Sequence, residues 1–181
     1  TTDAIVTGIG TILGDDPRMT SRNSADKNNG RPKLRVVVDT KGQLSETSAM
    51  VREPGEILWV RGKGLVESRK IKSPNVQAIE LPTIDNQIDL SQLVKILALR
   101  GCNNVMVEAG SRLTGGFFDA ELVDRIACFI APVIIGGDRA YSAIGDRGIK
   151  AMDDVFKLKN TKYVHIGPDI LITANSHREL Q

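Results

Sequence analysis

The chain comprises 181 residues, and its 24 Lys and Arg side chains nearly balance 22 Asp and Glu side chains, for a net charge of +2. This length predicts a single domain that buries about 70% of the surface of its unfolded chain. The balanced charge excludes the basic surfaces typical of nucleic-acid and membrane partners, and the longest apolar run, residues 126–135, is too short to cross a bilayer.

The first predicted element is a buried strand at Ala4–Gly8, an apolar run with β-branched residues. Residues 9–14 continue it as a glycine-containing turn or a short helical piece. The sequence Asp15-Asp16-Pro17 ends regular structure, because proline lacks an N–H donor and constrains the residue before it. We expect at least one of these aspartates to accept backbone hydrogen bonds rather than act in a metal or acid–base site. Residues 23–32, rich in Asn, Lys and Gly, predict a solvated, disordered loop.

The second strand, Leu34–Asp39, ends in a carboxylate and is followed by Thr40-Lys41-Gly42. A hydroxyl and a cation beyond the carboxyl end of a strand can clamp a phosphate, but the same residues also make an ordinary polar turn. Further strands are predicted at residues 57–60 and Val76–Leu81, with a short helix at 64–71 between them. The single tryptophan of the chain lies in the third strand, where we expect it in the core.

The clearest helix covers residues 90–100, where leucines recur at helical spacing. Asp89 or Ser91 can cap its start, and Gly101 can end it. This helix delivers the chain to a strand that begins at Asn104.

A carboxylate and a glycine-rich stretch follow the strand at Asn104. Glu108 stands at the carboxyl end of that strand, the edge where open α/β sheets bind ligands. Gly110, Gly115 and Gly116 predict a sharp turn that leads into an amphipathic helix. The first N–H groups of such a helix suit a phosphate, although a tight connection with a helix cap explains the same residues. The pattern is neither a P-loop nor the dinucleotide fingerprint G-x-G-x-x-G.

The C-terminal third predicts a strand at residues 125–132, a charged loop at 138–154 and two alternating segments at 157–166 and 170–174. A Gly-Pro-Asp connection joins the last two as an antiparallel hairpin. Strands that alternate with helices early and a hairpin that comes late predict an α/β fold, with a mainly parallel sheet flanked by helices and antiparallel strands at one edge. Carboxylates at two strand ends fit a nucleotide bound across the carboxyl edge of the sheet.

Cysteine and histidine usage limits the chemistry further. Cys102 and Cys128 form no C-x-x-C pair and adjoin apolar segments, so we predict buried, reduced thiols in a cytoplasmic protein. His165 and His177 supply too few imidazoles for a His-based metal site or a Ser-His-Asp triad. We therefore expect no metal.

Three blocks of sequence occur in order along nearly the whole chain. They are DAIVTGIGTILGDDPRMTSR at residues 3–22, VVVDT ending at Thr40, and a stretch over 107–137 that contains VEAGSRLTGG and LVDRIACFIAPVIIGG. HIGPD at 165–169 also matches. Together these blocks resemble the reductase half of the riboflavin-biosynthesis deaminase/reductase, a member of the dihydrofolate-reductase-like family. Because several motifs match in order, the resemblance is far more specific than a single glycine loop.

The resemblance implies an NADPH-dependent reduction of 5-amino-6-(5-phosphoribosylamino)uracil to its ribitylamino form. It assigns Met19, Arg22 and Glu108 to substrate binding. NADPH would contact residues in three stretches of the chain: Thr11, Asp15, Thr40, Gly110, Ser111, Arg112, Leu113, Thr114, Gly115 and Gly116.

The residue types at these positions are compatible with those roles. A helix N-terminus after Gly110 can receive the pyrophosphate of the cofactor. Thr40 with Lys41 can bind the adenosine 2′-phosphate, which predicts a preference for NADPH over NADH, whereas a free carboxylate at Asp39 would favour a bare ribose diol. Arg22 can bind the phosphate of the substrate, because its fork of donors matches phosphate geometry.

The chain also departs from the family pattern. A leading strand and a Ser-Leu-Asp-Gly-like segment of the family are absent, so we expect residues 1–181 to be a single reductase domain that lacks its leading strand. We expect such a chain to form a homodimer, to follow an N-terminal deaminase domain in a longer parent, and to bind NADPH better than it turns over substrate. His177-Arg178-Glu179 matches half of a deaminase zinc signature, but no P-C-x-x-C completes it.

Two alternatives stay open at this point. Another reductase of the same fold, including a pterin reductase, would keep the NADPH-binding turn but dispense with Arg22. A nucleotide-binding or dimerising domain without turnover would also retain the fold.

Overall fold

The computed structural model describes residues 2–20, 33–65, 70–137, 140, 142–145, 148–149 and 151–176. In chain order the elements are β1 (Ala4–Gly8), α1 (Ile9–Asp15), β2 (Leu34–Asp39), α2 (Ala49–Arg52), β3 (Ile57–Gly62), β4 (Val76–Leu81), β5 (Thr83–Ile84), β6 (Gln87–Ile88), α3 (Leu90–Leu99), β7 (Val105–Val107), α4 (Ser111–Asp119), β8 (Arg125–Ile130), a 3-10 helix (Met152–Asp154), β9 (Leu158–Ile166) and β10 (Asp169–Ser176). The loop expected at residues 23–32 lies outside the described residues.

Five strands form a parallel sheet in the order β4-β3-β2-β1-β7. Every residue of β2 is buried, as is typical of a parallel strand covered on both faces. On one face the sheet packs against α3 and α4 through Leu93, Leu97 and Phe117. On the other face it packs against α1 and α2 through Ile12 and Met50. The predicted α/β fold with a helix-flanked parallel sheet is confirmed.

The order of the strands reverses at β1. From β1 the chain proceeds outward through β2, β3 and β4, and it then returns to the other side of β1 to form β7. The carboxyl ends of β1 and β7 therefore border a crevice at a topological switch point, which is where open α/β sheets bind their ligands.

The antiparallel strands lie in a sheet of their own. We expected the hairpin at one edge of the parallel sheet, but β9 and β10 pair with β8 in a separate three-stranded sheet of order β8-β10-β9. The alternation of apolar and polar residues indicates that two strands form a hairpin, but it does not indicate which other strand the hairpin pairs with. The connection is also shorter than expected, because Asp169 pairs with Ile166 and leaves only Gly167 and Pro168 in the turn.

Local features agree with the sequence in most places. Residues 9–14 are helical, and Asp89 caps α3 by accepting a hydrogen bond from the backbone N of Gln92 at 3.1 Å. We missed α2 and the β5–β6 hairpin, which are too short to show a periodic pattern; the hairpin turns at Asp85 and Asn86, both with positive φ. Half of the helix expected at residues 64–71 falls on 66–69, outside the described part, and the flanking residues 64, 65, 70 and 71 are not helical.

Trp59 and the two cysteines differ in how deeply they are buried. Trp59 is 1% exposed in the core, as predicted. Both cysteines are free thiols, but only Cys102 is partly buried, and the prediction that Cys128 is buried was wrong. Cys128 is exposed because β8 belongs to the outer antiparallel sheet, where most of its residues face solvent. None of the helices described is both long and apolar enough to traverse a lipid bilayer.

Candidate functional site

The crevice between β1 and β7 is bordered by the residues that follow these two strands. The backbone N of Glu108 donates to the carbonyl oxygen of Val6 at 2.9 Å, which extends the pairing of β7 with β1 by one residue. The Glu108 side chain is exposed at this edge of the sheet. The structure thus places Glu108 at the carboxyl end of a strand, as predicted.

Helix α4 starts beside the same edge. Gly110 is its N-cap residue and contributes no side-chain hydrogen bond, and the space where a Cβ of Gly110 would lie is open to 4 Å. The first i to i−4 hydrogen bond of the helix runs from the Thr114 N to the Gly110 carbonyl at 3.1 Å. The preceding amides of the first turn therefore have no intrahelical acceptor, and this is the arrangement that binds anions at helix N-termini.

The predicted glycine-rich turn is shorter than expected. Gly115 and Gly116 lie inside α4, so the prediction that they form a turn was wrong. Leu113 and Phe117, four residues apart, both face the sheet: Phe117 is buried, and Leu113 comes within 3.5 Å of the position of a Cβ on Gly8. Two side chains four residues apart lie on the same face of a helix. Leu113 and Phe117 can therefore both pack against the sheet only if the intervening Gly115 and Gly116 are helical.

Gly145, in the stretch predicted as a charged loop, contacts the start of α4. The backbone N of Gly145 donates to the carbonyl oxygen of Ser111 at 3.0 Å. A Cβ on Gly145 would come within 3.2 Å of the Ser111 side chain, so glycine is what permits this contact. Farther along, the rings of Phe118 and Phe156 meet edge to face with centroids 5.3 Å apart. Both contacts hold the segment after β8 against α4.

The turn after β2 projects two of the residues predicted to bind the cofactor. Thr40 is half-buried and Lys41 is exposed. Asp39, however, is completely buried, and its Oδ2 accepts hydrogen bonds from the Leu44 N at 2.8 Å and the Trp59 Nε1 at 2.9 Å. Asp39 therefore faces the core and is not placed to bind a ribose diol at the surface.

Helix α1 carries the remaining residues predicted for the cofactor. Thr11 is half-buried and Asp15 is exposed. The neighbouring Asp16 ends the helix in a left-handed conformation, and its Oδ1 accepts a hydrogen bond from the Ala49 N at 2.8 Å. The expectation that one of the two aspartates satisfies backbone donors is confirmed for Asp16.

A cavity of about 610 Å³ brings together residues from distant parts of the chain. Met19 and Glu108, both predicted to bind substrate, line it, so two of the three predicted substrate residues share one cavity. Its volume is typical of small-molecule sites. Arg22, the third, lies outside the described residues. The other lining residues, for which no role in substrate binding was predicted, are Ile5, Asp16, Pro17, Arg18 and Thr20.

A second depression, of about 780 Å³, lies at the opposite end of the strands. Its lining includes Pro54 and Asn75, which precede β3 and β4. This is the amino end of the parallel strands, which open α/β sheets do not use for ligands. The smaller cavity at Glu108 is therefore the better candidate site.

These features define a doubly wound α/β domain with a ligand cavity beside its topological switch point. The chain belongs to the family described as the RibD C-terminal domain, which matches residues 1–172. The family membership inferred from the sequence motifs is thus confirmed.

Sequence comparison with individual proteins supports the same family. The riboflavin biosynthesis protein RibD of Bacillus amyloliquefaciens is 32% identical over 171 residues, covering 94% of this chain and 45% of the relative. The 2,5-diamino-6-ribosylamino-4(3H)-pyrimidinone 5′-phosphate reductase of Archaeoglobus fulgidus is 30% identical over 183 residues, covering 97% of this chain and 80% of the relative. The chain spans about half the length of several of the RibD relatives that it matches.

Solved structures share the fold. Acinetobacter baumannii RibD superposes with a TM-score of 0.78 at 20% identity, covering 97% of this chain and 47% of the other. The Saccharomyces riboflavin biosynthesis reductase Rib7 superposes with a TM-score of 0.75 at 18% identity, covering 97% and 76%. The expected dihydrofolate-reductase-like architecture is confirmed by these neighbours.

Proposed function

We propose that this chain is an NADPH-dependent reductase that converts 5-amino-6-(5-phosphoribosylamino)uracil to 5-amino-6-(5-phosphoribitylamino)uracil in riboflavin biosynthesis. The observation that carries the proposal is the cavity shared by Met19 and Glu108 at the edge of the sheet that binds ligands. Family membership supports it, as does a Buchnera relative named 5-amino-6-(5-phosphoribosylamino)uracil reductase, 29% identical over 92% of this chain.

The cofactor fits the residues at the carboxyl edge. The uncapped first turn of α4 and the open space at Gly110 suit a pyrophosphate. Thr40 and Lys41 offer a hydroxyl and a cation for a 2′-phosphate, and the buried Asp39 does not compete by binding a ribose diol. These features favour NADPH over NADH, with Thr11, Asp15 and the start of α4 as further contacts.

The residues around the cavity bind and orient the substrate. NADPH, when bound, would supply the hydride that reduces C1 of the ring-opened imine form of the ribosylamino group, and solvent water would supply the proton that the imine nitrogen gains. Glu108 accepts hydrogen bonds from sugar hydroxyls or from N–H groups of the pyrimidine. Met19 offers an apolar surface. Arg22, outside the described residues, is proposed from the family motif to pair with the substrate phosphate.

The test is NADPH oxidation, followed by absorbance, with the ribosylamino substrate and separately with a dihydropterin. We expect turnover of the phosphoribosyl compound only. Glu108→Gln should raise the KM of that substrate with little change in the KM of NADPH, whereas Asp119→Asn, at the far end of α4, should change neither. Turnover of the pterin alone, or NADPH binding without any turnover, would overturn the assignment in favour of a pterin reductase or a non-catalytic nucleotide-binding domain.

We further propose that a second copy of this chain covers the antiparallel sheet. Phe129, Leu171 and Val164 form one row across β8, β10 and β9, and Phe129 and Val164 are 62% and 50% exposed. Ile134 and Ile135, which follow β8, are 99% and 89% exposed. Apolar side chains grouped in this way mark association surfaces. Light scattering should report a dimer that Phe129→Glu converts to a monomer; a monomeric wild-type chain would contradict this.

We also infer the setting of the domain. Residues 1–181 are proposed to be a single reductase domain, and the length of the RibD relatives supports an N-terminal deaminase domain in a longer parent. The free thiols of Cys102 and Cys128 fit a reducing compartment such as the cytoplasm.

A further inference from the structure

The turn that carries Thr40 and Lys41 is held at both ends by one buried residue. The carbonyl oxygen of Asp39 accepts a hydrogen bond from the Gly42 N at 3.1 Å, and the Asp39 side chain accepts one from the Leu44 N at 2.8 Å. Asp39 is 0% exposed. Its carboxylate therefore fixes the path of residues 40–43 from beneath, without contacting solvent.

Trp59 holds that carboxylate in place. Its Nε1 donates to the same Oδ2 of Asp39 at 2.9 Å. The register of β2 and β3 pairs Val37 with Trp59 and Asp39 with Arg61, so these side chains share one face of the sheet. The guanidinium of Arg61 stacks over the Trp59 ring at 4.9 Å from the centroid. The indole thus has little freedom to move away from Asp39.

The turn itself is packed closely against β3. Gly42 has a φ of +67°, a left-handed conformation that favours glycine, and a Cβ there would come within 3.2 Å of the Leu65 side chain. The Thr40 carbonyl accepts a hydrogen bond from the Gly62 N at 3.2 Å. The backbone of the turn is therefore fixed, and Lys41 is the charged side chain that it presents to solvent, beside the exposed Gln43.

We propose that Asp39 and Trp59 are positioning residues that set the preference for a cofactor with an adenosine 2′-phosphate. This inference rests on the proposed function and deepens it. A turn that is already held in its binding conformation loses little conformational entropy when a phosphate binds to Thr40 and Lys41. Asp39, which by its place at a strand end would favour a ribose diol, instead aids 2′-phosphate binding indirectly through the turn.

Three variants separate positioning from general stability. Asp39→Ala removes the acceptor of both side-chain hydrogen bonds, and Trp59→Phe removes the indole donor with part of the buried ring but leaves the carboxylate and its bond from the Leu44 N. Asp39→Asn retains a carbonyl oxygen that can accept both bonds, so it is the conservative rescue. Leu58→Val is the matched control, because Leu58 is a fully buried residue of β3, the strand of Trp59, and lies on the opposite face of the sheet.

The measurements are the KM values of NADPH and NADH, and calorimetric titration with adenosine 2′,5′-bisphosphate, which reports the phosphate site without turnover. Asp39→Ala should weaken NADPH and the bisphosphate about tenfold, the equivalent of one hydrogen bond to a charged group, with NADH almost unchanged. Trp59→Phe should weaken them about threefold, on the scale of a smaller hydrogen-bond loss. Asp39→Asn and Leu58→Val should retain wild-type affinity.

Several outcomes would overturn the inference. Equal weakening of NADPH and NADH, or a lower melting temperature with unchanged affinity for the bisphosphate, would make Asp39 and Trp59 purely structural. The same would follow if Leu58→Val shifted the NADPH to NADH ratio as much as Asp39→Ala. If Asp39→Ala does not fold, Trp59→Phe decides the matter, because it keeps the carboxylate. A wild-type chain that binds neither cofactor would instead contradict the proposed function.

Discussion

Arg35 provides a quantitative test of the packing at the amino end of the parallel strands. Arg35 is 3% exposed, and its guanidinium donates to four carbonyl oxygens of residues 50–55 at distances of 2.6 to 3.1 Å and to the carbonyl oxygen of Arg18 at 3.4 Å. Burial lowers the pKa of Arg35 from its ordinary value, while the negative charge of Glu53 acts in the opposite direction. Arg35 is therefore a buried cation compensated mainly by backbone dipoles, which are those of Met50, Glu53, Pro54 and Gly55.

Replacing Arg35 by Met keeps an unbranched apolar stem but removes every donor. The fully buried Met50 loses a partner for its carbonyl, at a cost of about 1–3 kcal/mol. The carbonyls of Glu53, Pro54 and Gly55, and the more distant carbonyl of Arg18, belong to partly or fully exposed residues and can rehydrate, at about 0.5–1.5 kcal/mol for each of the three closer bonds. Removing the buried charge also removes its desolvation cost, which offsets part of this loss. We therefore expect the free energy of unfolding to fall by about 3–5 kcal/mol.

Urea unfolding followed by the fluorescence of Trp59 measures this loss. Arg100→Met is the matched control, because Arg100 bonds Glu56 at 3.2 Å and Gln77 at 2.7 Å at the surface, where such contacts contribute about 0–1 kcal/mol. If the two variants lose the same free energy of unfolding, the carbonyl cluster around Arg35 does not stabilise the fold as described.

Three further predictions concern the cofactor site and the thiols. Lys41→Ala should raise the KM of NADPH about tenfold and leave that of NADH unchanged, while Lys95→Ala on α3 should alter neither; equal effects on both cofactors would refute a 2′-phosphate contact. Gly145→Ala should weaken NADPH in a fluorescence titration, because its Cβ would lie 3.2 Å from Ser111, whereas Gly14→Ala, with open space around it, should not. Burial, together with the charges of Asp3 and Glu56, raises the pKa of Cys102, so at neutral pH a smaller fraction is thiolate and Cys102 should alkylate more slowly than glutathione. Mass spectrometry after timed alkylation checks this, and a faster reaction of Cys102 would contradict it.

Local patterns accounted for most of the secondary structure. The strand Leu34–Asp39 was predictable from its three consecutive valines, because parallel strands buried on both faces are rich in β-branched apolar residues. Helix α3 was predictable because its leucines recur at helical spacing behind a capping Asp89. Short elements such as α2 escaped prediction, since four residues carry no period. The antiparallel sheet was misplaced because strand pairing joins distant segments.

The sequence by itself determined the fold class, the family and the carboxyl-edge residues, because hydrophobic period, glycine placement and ordered motifs are properties of consecutive residues. Tertiary structure alone decided what those residues face. Asp39 ends a strand whether it binds a ribose or the indole of Trp59, and only the neighbouring strand β3 supplies that indole. Met19 and Glu108 share a cavity because the chain returns to β1 as β7, a pairing that no local pattern encodes.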